Sequence, residues 1–291
     1  MLAPVTRFAI YTVCLAAGNI SLLRGLVDFA RSNVTASHVV LVPFISVVLV
    51  YTNRSAIFAS VKGTLLPGLA VILAGVGLLS AGHLSMTPAG SLSLMMAGFV
   101  LAWIGGFVVF FGTAAARAAA FPLVFLVFMI PLPEVVIGAA TSFLKKGSSE
   151  IVATLFTLTG TPYHRQGFVF SLPAFVIEIA DECSGIRSSI ALMLTSLLAG
   201  DRFLASWWTK GLVLLAILPI AIIKNGIRIV SLSLLATHVD PSFLTGQLHH
   251  EGGFVFFLLA LGLMVPVFAV LRWLEVLGQN HLQRRAASAI P

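Results

Sequence analysis

Apolar residues in this chain run in long unbroken blocks and seldom alternate with polar ones. The stretch "LSLMMAGFVLAWIGGFVVFFG", Leu92 to Gly112, holds no charged side chain, and roughly 20 such residues suffice for a helix to cross the hydrocarbon core of a bilayer. Blocks of this kind cover residues 8–23, 38–52, 66–82, 92–113, 118–140, 184–200, 207–236 and 253–273. The block at 118–140 is interrupted by "PLP", Pro131 to Pro133, and the apolar piece at 149–160 is too short to count. The pattern predicts an all-α polytopic membrane protein with about eight transmembrane helices.

The pattern changes between Lys145 and Arg187, where Lys145, Lys146, Glu150, Arg165, Glu178, Asp181, Glu182 and Arg187 gather. Within this segment "GFVFS" (Gly167 to Ser171) and "AFVIEIA" (Ala174 to Ala180) are rich in β-branched and aromatic residues and are divided by "LP". They predict a small β-hairpin at the membrane surface. Its second strand leads directly to Cys183, after which "IRSSIALMLTSLLAG" reads as a helix.

Composition narrows the class. The chain is 59% hydrophobic and 9% charged, against about a quarter charged in a soluble domain, and its mean hydropathy is +1.06. A large soluble domain does not fit into 291 residues beside so many spans. The net charge of +7 is spread as single residues between apolar blocks, so nothing resembles a nucleic-acid-binding stripe. Arg54 and Lys62, Arg117, Arg202 and Lys210, and Arg272, Arg284 and Arg285 follow alternate spans and favour a cytoplasmic C-terminus. Arg24 and Arg31 count the other way. On that topology Cys183 is extracytoplasmic. The first apolar block lacks a clear small-residue cleavage site and reads as a retained span. Without repeats or Gly/Ser linkers, residues 1–291 read as a single membrane domain. The two cysteines, Cys14 and Cys183, suggest neither a disulfide framework nor a zinc site, and nothing calls for a metal or organic cofactor.

Three polar stretches carry candidate chemistry. In "EIADECSGIRSS", Glu178 to Ser189, Cys183 stands at or just before a helix N-terminus. Unpaired backbone N–H groups and the positive dipole end favour a thiolate there, and Arg187 adds positive charge one turn on. Asp181 and Glu182 act the opposite way unless they cap or pair elsewhere. In "KNGIRIV", Lys224 to Val230, Asn225 and Arg228 share a helix face inside an apolar run. An arginine at membrane depth is costly and marks a functional candidate, whereas Lys224 reads as a snorkelling anchor. In "QLHHEGGFVFF", Gln247 to Phe257, two histidines precede the last span on the side of Cys183. A histidine supplies proton transfer near neutral pH. Nucleophile, cation and base thus converge on one membrane face from three spans.

At these residues the chain resembles the exosortase/archaeosortase family of polytopic cysteine transpeptidases. The resemblance rests on "ECSGIRSS" (Glu182 to Ser189), "NGIR" (Asn225 to Arg228) and "HHEGGFVFF" (His249 to Phe257), with "FPLVFLVFMIPLP" (Phe121 to Pro133) in addition. It covers most of residues 121–273. It implies catalytic roles for Cys183, Arg228 and His249. The family histidine is followed four positions later by a glycine that opens the last span, which His249 with Gly253 satisfies, while His250 is the fallback. A histidine here is similar to the bacterial exosortase branch.

The resemblance also implies a function. Substrates would be exported proteins with a C-terminal signal made of a Pro-Glu-Pro-like motif, a transmembrane helix and a basic tail. Cys183 would cleave near the motif through a thioester and pass the protein to an acceptor, a glycan or a lipid, in a process linked to cell-surface and exopolysaccharide biology. The enzyme would be multi-pass in the inner membrane with its active site on the extracytoplasmic face. The competing readings are a membrane transporter and a non-catalytic exopolysaccharide assembly factor.

Overall fold

The computed structural model describes residues 2–85, 87–181, 184–244 and 253–288. The chain forms two compact units, residues 1–137 and 138–291.

In the first unit, α1 (Leu2–Gly18) and α2 (Ile20–Ser32) meet at a 72° bend. The Asn19 side chain donates to the Leu15 carbonyl at this bend, 2.9 Å away. A 3-10 turn (Val34–Val40) leads into α3 (Val42–Thr52), followed by the short α4 (Arg54–Ile57). The long antiparallel pair α5 (Leu65–His83) and α6 (Pro88–Ala118) forms the centre of the unit. Glycines spaced by seven, Gly68, Gly75 and Gly82 on α5 and Gly98 and Gly105 on α6, line their contact. A Cβ on Gly98 would lie 2.5 Å from the Gly75 carbonyl, so the two backbones touch where side chains ordinarily keep helices apart. α1 lies on α6, with the Tyr11 hydroxyl donating to the Ala102 carbonyl at 2.7 Å and Phe8 in edge contact with Phe107 and Phe111. α7 (Ala120–Phe125) and a 3-10 turn (Leu126–Met129) follow. Pro131 and Pro133, which lack N–H donors, end this helical run. The Ser93 hydroxyl holds the Pro131 carbonyl at 2.8 Å.

The second unit contains most of α8 (Glu134–Leu158), three short strands, and α9 (Ile186–Phe203), α10 (Trp207–His238) and α11 (Gly253–Ser288). Leu192, Val213, Ile217, Ile220, Ala260 and Met264 form the core shared by α9, α10 and α11. The strands β1 (His164–Gln166), β2 (Val169–Ser171) and β3 (Val176–Glu178) make an antiparallel sheet in that order, with Phe170 opposite both Arg165 and Ile177. Phe170 points into a cluster with Val152 and Phe156 of α8, Ile179 after β3 and Val230 of α10. The expected hairpin is present as β2 and β3, and β1 adds a third strand.

The architecture is that of a mainly helical, multi-pass membrane protein. Among the described residues five helices are long and apolar enough to span, or seven when each bent pair counts as one span. The expected blocks at 8–23 and 118–140 fall on those two bent pairs. The block at 184–200 corresponds to α9, which is not among these spans; its 18 residues carry Arg187, Asp201 and Arg202. The apolar piece at 149–160 belongs to the 25-residue α8.

Candidate active site

α8 and α10 approach closely because Gly147 lies against Ile222 and Gly226 against Ile151. That approach brings the buried Ser148 of α8 beside Asn225 of α10, whose side-chain amide donates to the Ser148 hydroxyl at 3.0 Å. α9 begins next to the same place. Its N-cap residue, Gly185, has φ +77°, a left-handed conformation that glycine adopts without a side-chain clash. A Cβ there would lie 2.9 Å from Asn225 Oδ1 and 3.2 Å from Lys224 Nζ. The first turn of α9 therefore rests on α10 through a residue with no side chain.

The hydroxyls of Ser188 and Ser189 both donate to the Gly185 carbonyl, at 3.0 and 2.9 Å. Ser188 Oγ in turn accepts a hydrogen bond from Lys224 Nζ. Ser184, directly after Cys183 in the chain, is 1% exposed, and its hydroxyl accepts from the Ile186 N–H at 3.4 Å. Ser148, Ser184, Lys224 and Asn225 thus form a buried polar layer in an otherwise apolar helix cluster. Buried polar groups are retained only when they bond to one another, and Lys224 and Asn225 do so with serines from two different helices.

The structure revises the expectation for Lys224. An anchor that reaches out to the membrane surface would be exposed, but Lys224 is 2% exposed and points at Ser188. Arg187, expected to add charge at the start of α9, is exposed. The buried cation beside this helix start is Lys224. Arg228 is half-buried on α10, one turn beyond Lys224 and Asn225 and on the same helix face. Asp181 pairs with Lys145 at 2.7 Å, an ion pair that engages its carboxylate. Lys145 also lies over the Phe168 ring, 4.8 Å from its centre, tying α8 to the sheet. Glu150 and Arg165 make a second link of this kind at 2.7 Å. Cys183, Glu182, His249 and His250 lie outside the described residues. Among the described residues no group of His, Cys, Asp and Glu side chains is arranged to hold a metal ion.

Comparison with known proteins adds one decisive observation: the transmembrane exosortase family matches the chain over residues 30–266. The chain belongs to the transmembrane exosortase family. No match was found among curated proteins or among solved structures. The exosortase match begins well before the motif-bearing residues 121–273 and takes in most of the first unit. As an exosortase, the chain is a multi-pass membrane protein of a group of protein-sorting transpeptidases.

The sequence signal for Lys224 was present but ambiguous. A lysine beside an asparagine in an apolar run fits either a snorkelling chain or a buried one. The choice depends on Gly185 and Ser188, which are remote in sequence and create the room and the acceptor for its ammonium group.

Proposed function

We propose that this exosortase is a cysteine transpeptidase that removes the C-terminal sorting signal of exported proteins. The observation that carries the reading is the buried polar layer of Ser148, Ser184, Lys224 and Asn225, with the half-buried Ser188 bonded to it, at the start of α9, the helix that Cys183 precedes by three positions. The positive dipole end of a helix, a buried cation beside it and Arg228 one turn away make a setting that favours anionic sulfur and an anionic tetrahedral intermediate.

In this mechanism the Cys183 thiolate attacks the carbonyl carbon of a peptide bond near a Pro-Glu-Pro-like motif, forming a C–S bond. Arg228 holds the oxyanion. His249, with His250 as the alternative, gives a proton to the departing amine as the C–N bond breaks, and the substrate's anchor helix leaves. An acceptor amine or hydroxyl on a glycan or lipid, or water, then attacks the thioester, gives its proton to the histidine and regenerates the thiolate. The site faces the extracytoplasmic side of the inner membrane, where such substrates arrive.

The test is co-expression with a membrane protein that bears a Pro-Glu-Pro-like C-terminal signal, with substrate mass as the readout. The wild type shortens the substrate, and Cys183→Ala at equal expression leaves it whole. Continued processing by Cys183→Ala removes the thiol mechanism.

A further inference from the structure

The first unit contains a feature that the sorting reaction does not use. A cleft of about 520 Å³ opens among α1, α3, α4 and α6, walled by Phe8, Val47, Val50, Trp103 and Phe107. A smaller cavity of about 310 Å³ shares Val5, Arg54, Phe58 and Phe111 with it. Both volumes fall in or near the lower half of the range of small-molecule sites, about 300–1,000 Å³. Their linings are apolar with few exceptions, and the only charged residue in either is Arg54, which belongs to both.

Arg54 is held in place. Its guanidinium lies over the Tyr51 ring, 4.2 Å from the centre, and donates to the Tyr51 carbonyl at 3.2 Å. It has no carboxylate partner among the described residues. Exposed Lys62 and Arg117 stand at the same end of the α5–α6 pair, where the Thr64 N–H reaches the Val108 carbonyl. Before Glu134 the chain has a single acidic residue, Asp28, on α2. Gly25 of that helix faces Leu92, near the opposite end of α6. This end of the unit is therefore cationic without internal compensation.

Thr12 lines the larger cleft, but its hydroxyl is buried and does not open into it. Ser46, also in the wall, is already engaged with the Pro122 carbonyl. A purely hydrocarbon occupant leaves Arg54 without a counter-charge, and a soluble anion leaves both apolar cavities unfilled. A molecule with two apolar chains and one anionic head meets both demands.

We infer that the two cavities hold the acyl chains of one anionic phospholipid whose phosphate is bound by Arg54. Arginine presents planar paired donors suited to phosphate, and basic pockets between transmembrane helices bind anionic head groups in this manner. The occupancy makes the lipid part of the first unit and gives the protein a preference for anionic membrane.

The experiment uses the full-length protein, purified in a neutral detergent and stripped of lipid, titrated with dioleoyl phosphatidylglycerol or dioleoyl phosphatidylcholine and read by native mass spectrometry. The wild type is expected to bind one phosphatidylglycerol per chain about tenfold more tightly than phosphatidylcholine. Arg54→Gln lowers phosphatidylglycerol binding to the phosphatidylcholine level, Arg54→Lys retains part of the preference, and Val47→Trp, which fills the cleft, weakens both lipids. Thermal melts of each variant separate lost binding from lost fold. Equal binding of the two lipids by the wild type overturns the proposal, as does undiminished phosphatidylglycerol binding by Arg54→Gln. Displacement of the lipid by millimolar inorganic phosphate also overturns it, because the site would then recognise phosphate without its chains.

Discussion

Lys224 of α10 donates a hydrogen bond to Ser188 of α9, so a lysine that is 2% exposed is held by the first turn of the helix that begins just after Cys183. A buried ammonium is costly to keep charged in an apolar environment and is retained where its charge has a use. Lys224→Met keeps the length of the side chain and removes the charge. The expected outcome is an unchanged or higher melting temperature in detergent together with a loss of substrate processing of at least about tenfold. A fall in both together identifies Lys224 as a structural residue only.

Gly185 is the point where α9 meets α10. Gly185→Ala forces an alanine into a left-handed conformation, a cost of about 1–2 kcal/mol, and puts its methyl group 2.9 Å from Asn225 Oδ1. A lower melting temperature is expected, with processing reduced further than the stability loss explains, because the start of α9 must shift. The check is activity measured well below the melting transition.

Glu275 of α11 serves as the cap for the start of α10. Its carboxylate accepts the Ser206 N–H at 2.7 Å, the Ala205 N–H at 3.1 Å and the Thr209 hydroxyl. Glu275→Ala takes the acceptor from the Ala205 and Ser206 N–H groups, while the Thr209 hydroxyl keeps the Ser206 carbonyl at 2.7 Å, and a loss of about 1–3 kcal/mol is expected. Glu275→Gln retains an acceptor oxygen and is expected to fall between the wild type and the alanine variant in thermal stability.

Gly98 tests the close contact of α5 and α6. Gly98→Val places branched carbon against the Gly75 carbonyl and the Leu79 amide, 2.5 and 2.6 Å from the new Cβ. Overpacking of this kind costs about 1–3 kcal/mol or more. A substitution to valine at Gly77, which has open space around it, is the control and is expected to leave the melting temperature nearly unchanged.

The seven-residue glycine spacing along α5 and α6 was legible as letters, but its use as a helix contact depends on two helices aligning Gly75 with Gly98 in antiparallel register. Hydropathy likewise marks eight blocks, where five helices, or seven with each bent pair as one span, are long and apolar enough among the described residues. α9 reads as a spanning block over 184–200, yet the helix extends to Phe203 and takes in Asp201, which pairs with Lys210 at 3.0 Å, and the exposed Arg202. A sliding apolar pattern records what a segment is made of and not which neighbours cover it.

By itself the sequence determined the class of the molecule, because an apolar run long enough to cross a bilayer has few other fates. It also determined the hairpin before Cys183, through alternating β-branched and aromatic residues, and the family, through motifs spaced along the chain and a match over residues 30–266. Only the tertiary structure decided that Lys224 is buried, that Asp181 is paired with Lys145, and that Asn225 reaches Ser148 across two helices. The reason is physical: the state of a polar or charged group depends on the partners that surround it, and those partners come from α8 and α9, tens of residues away along the chain.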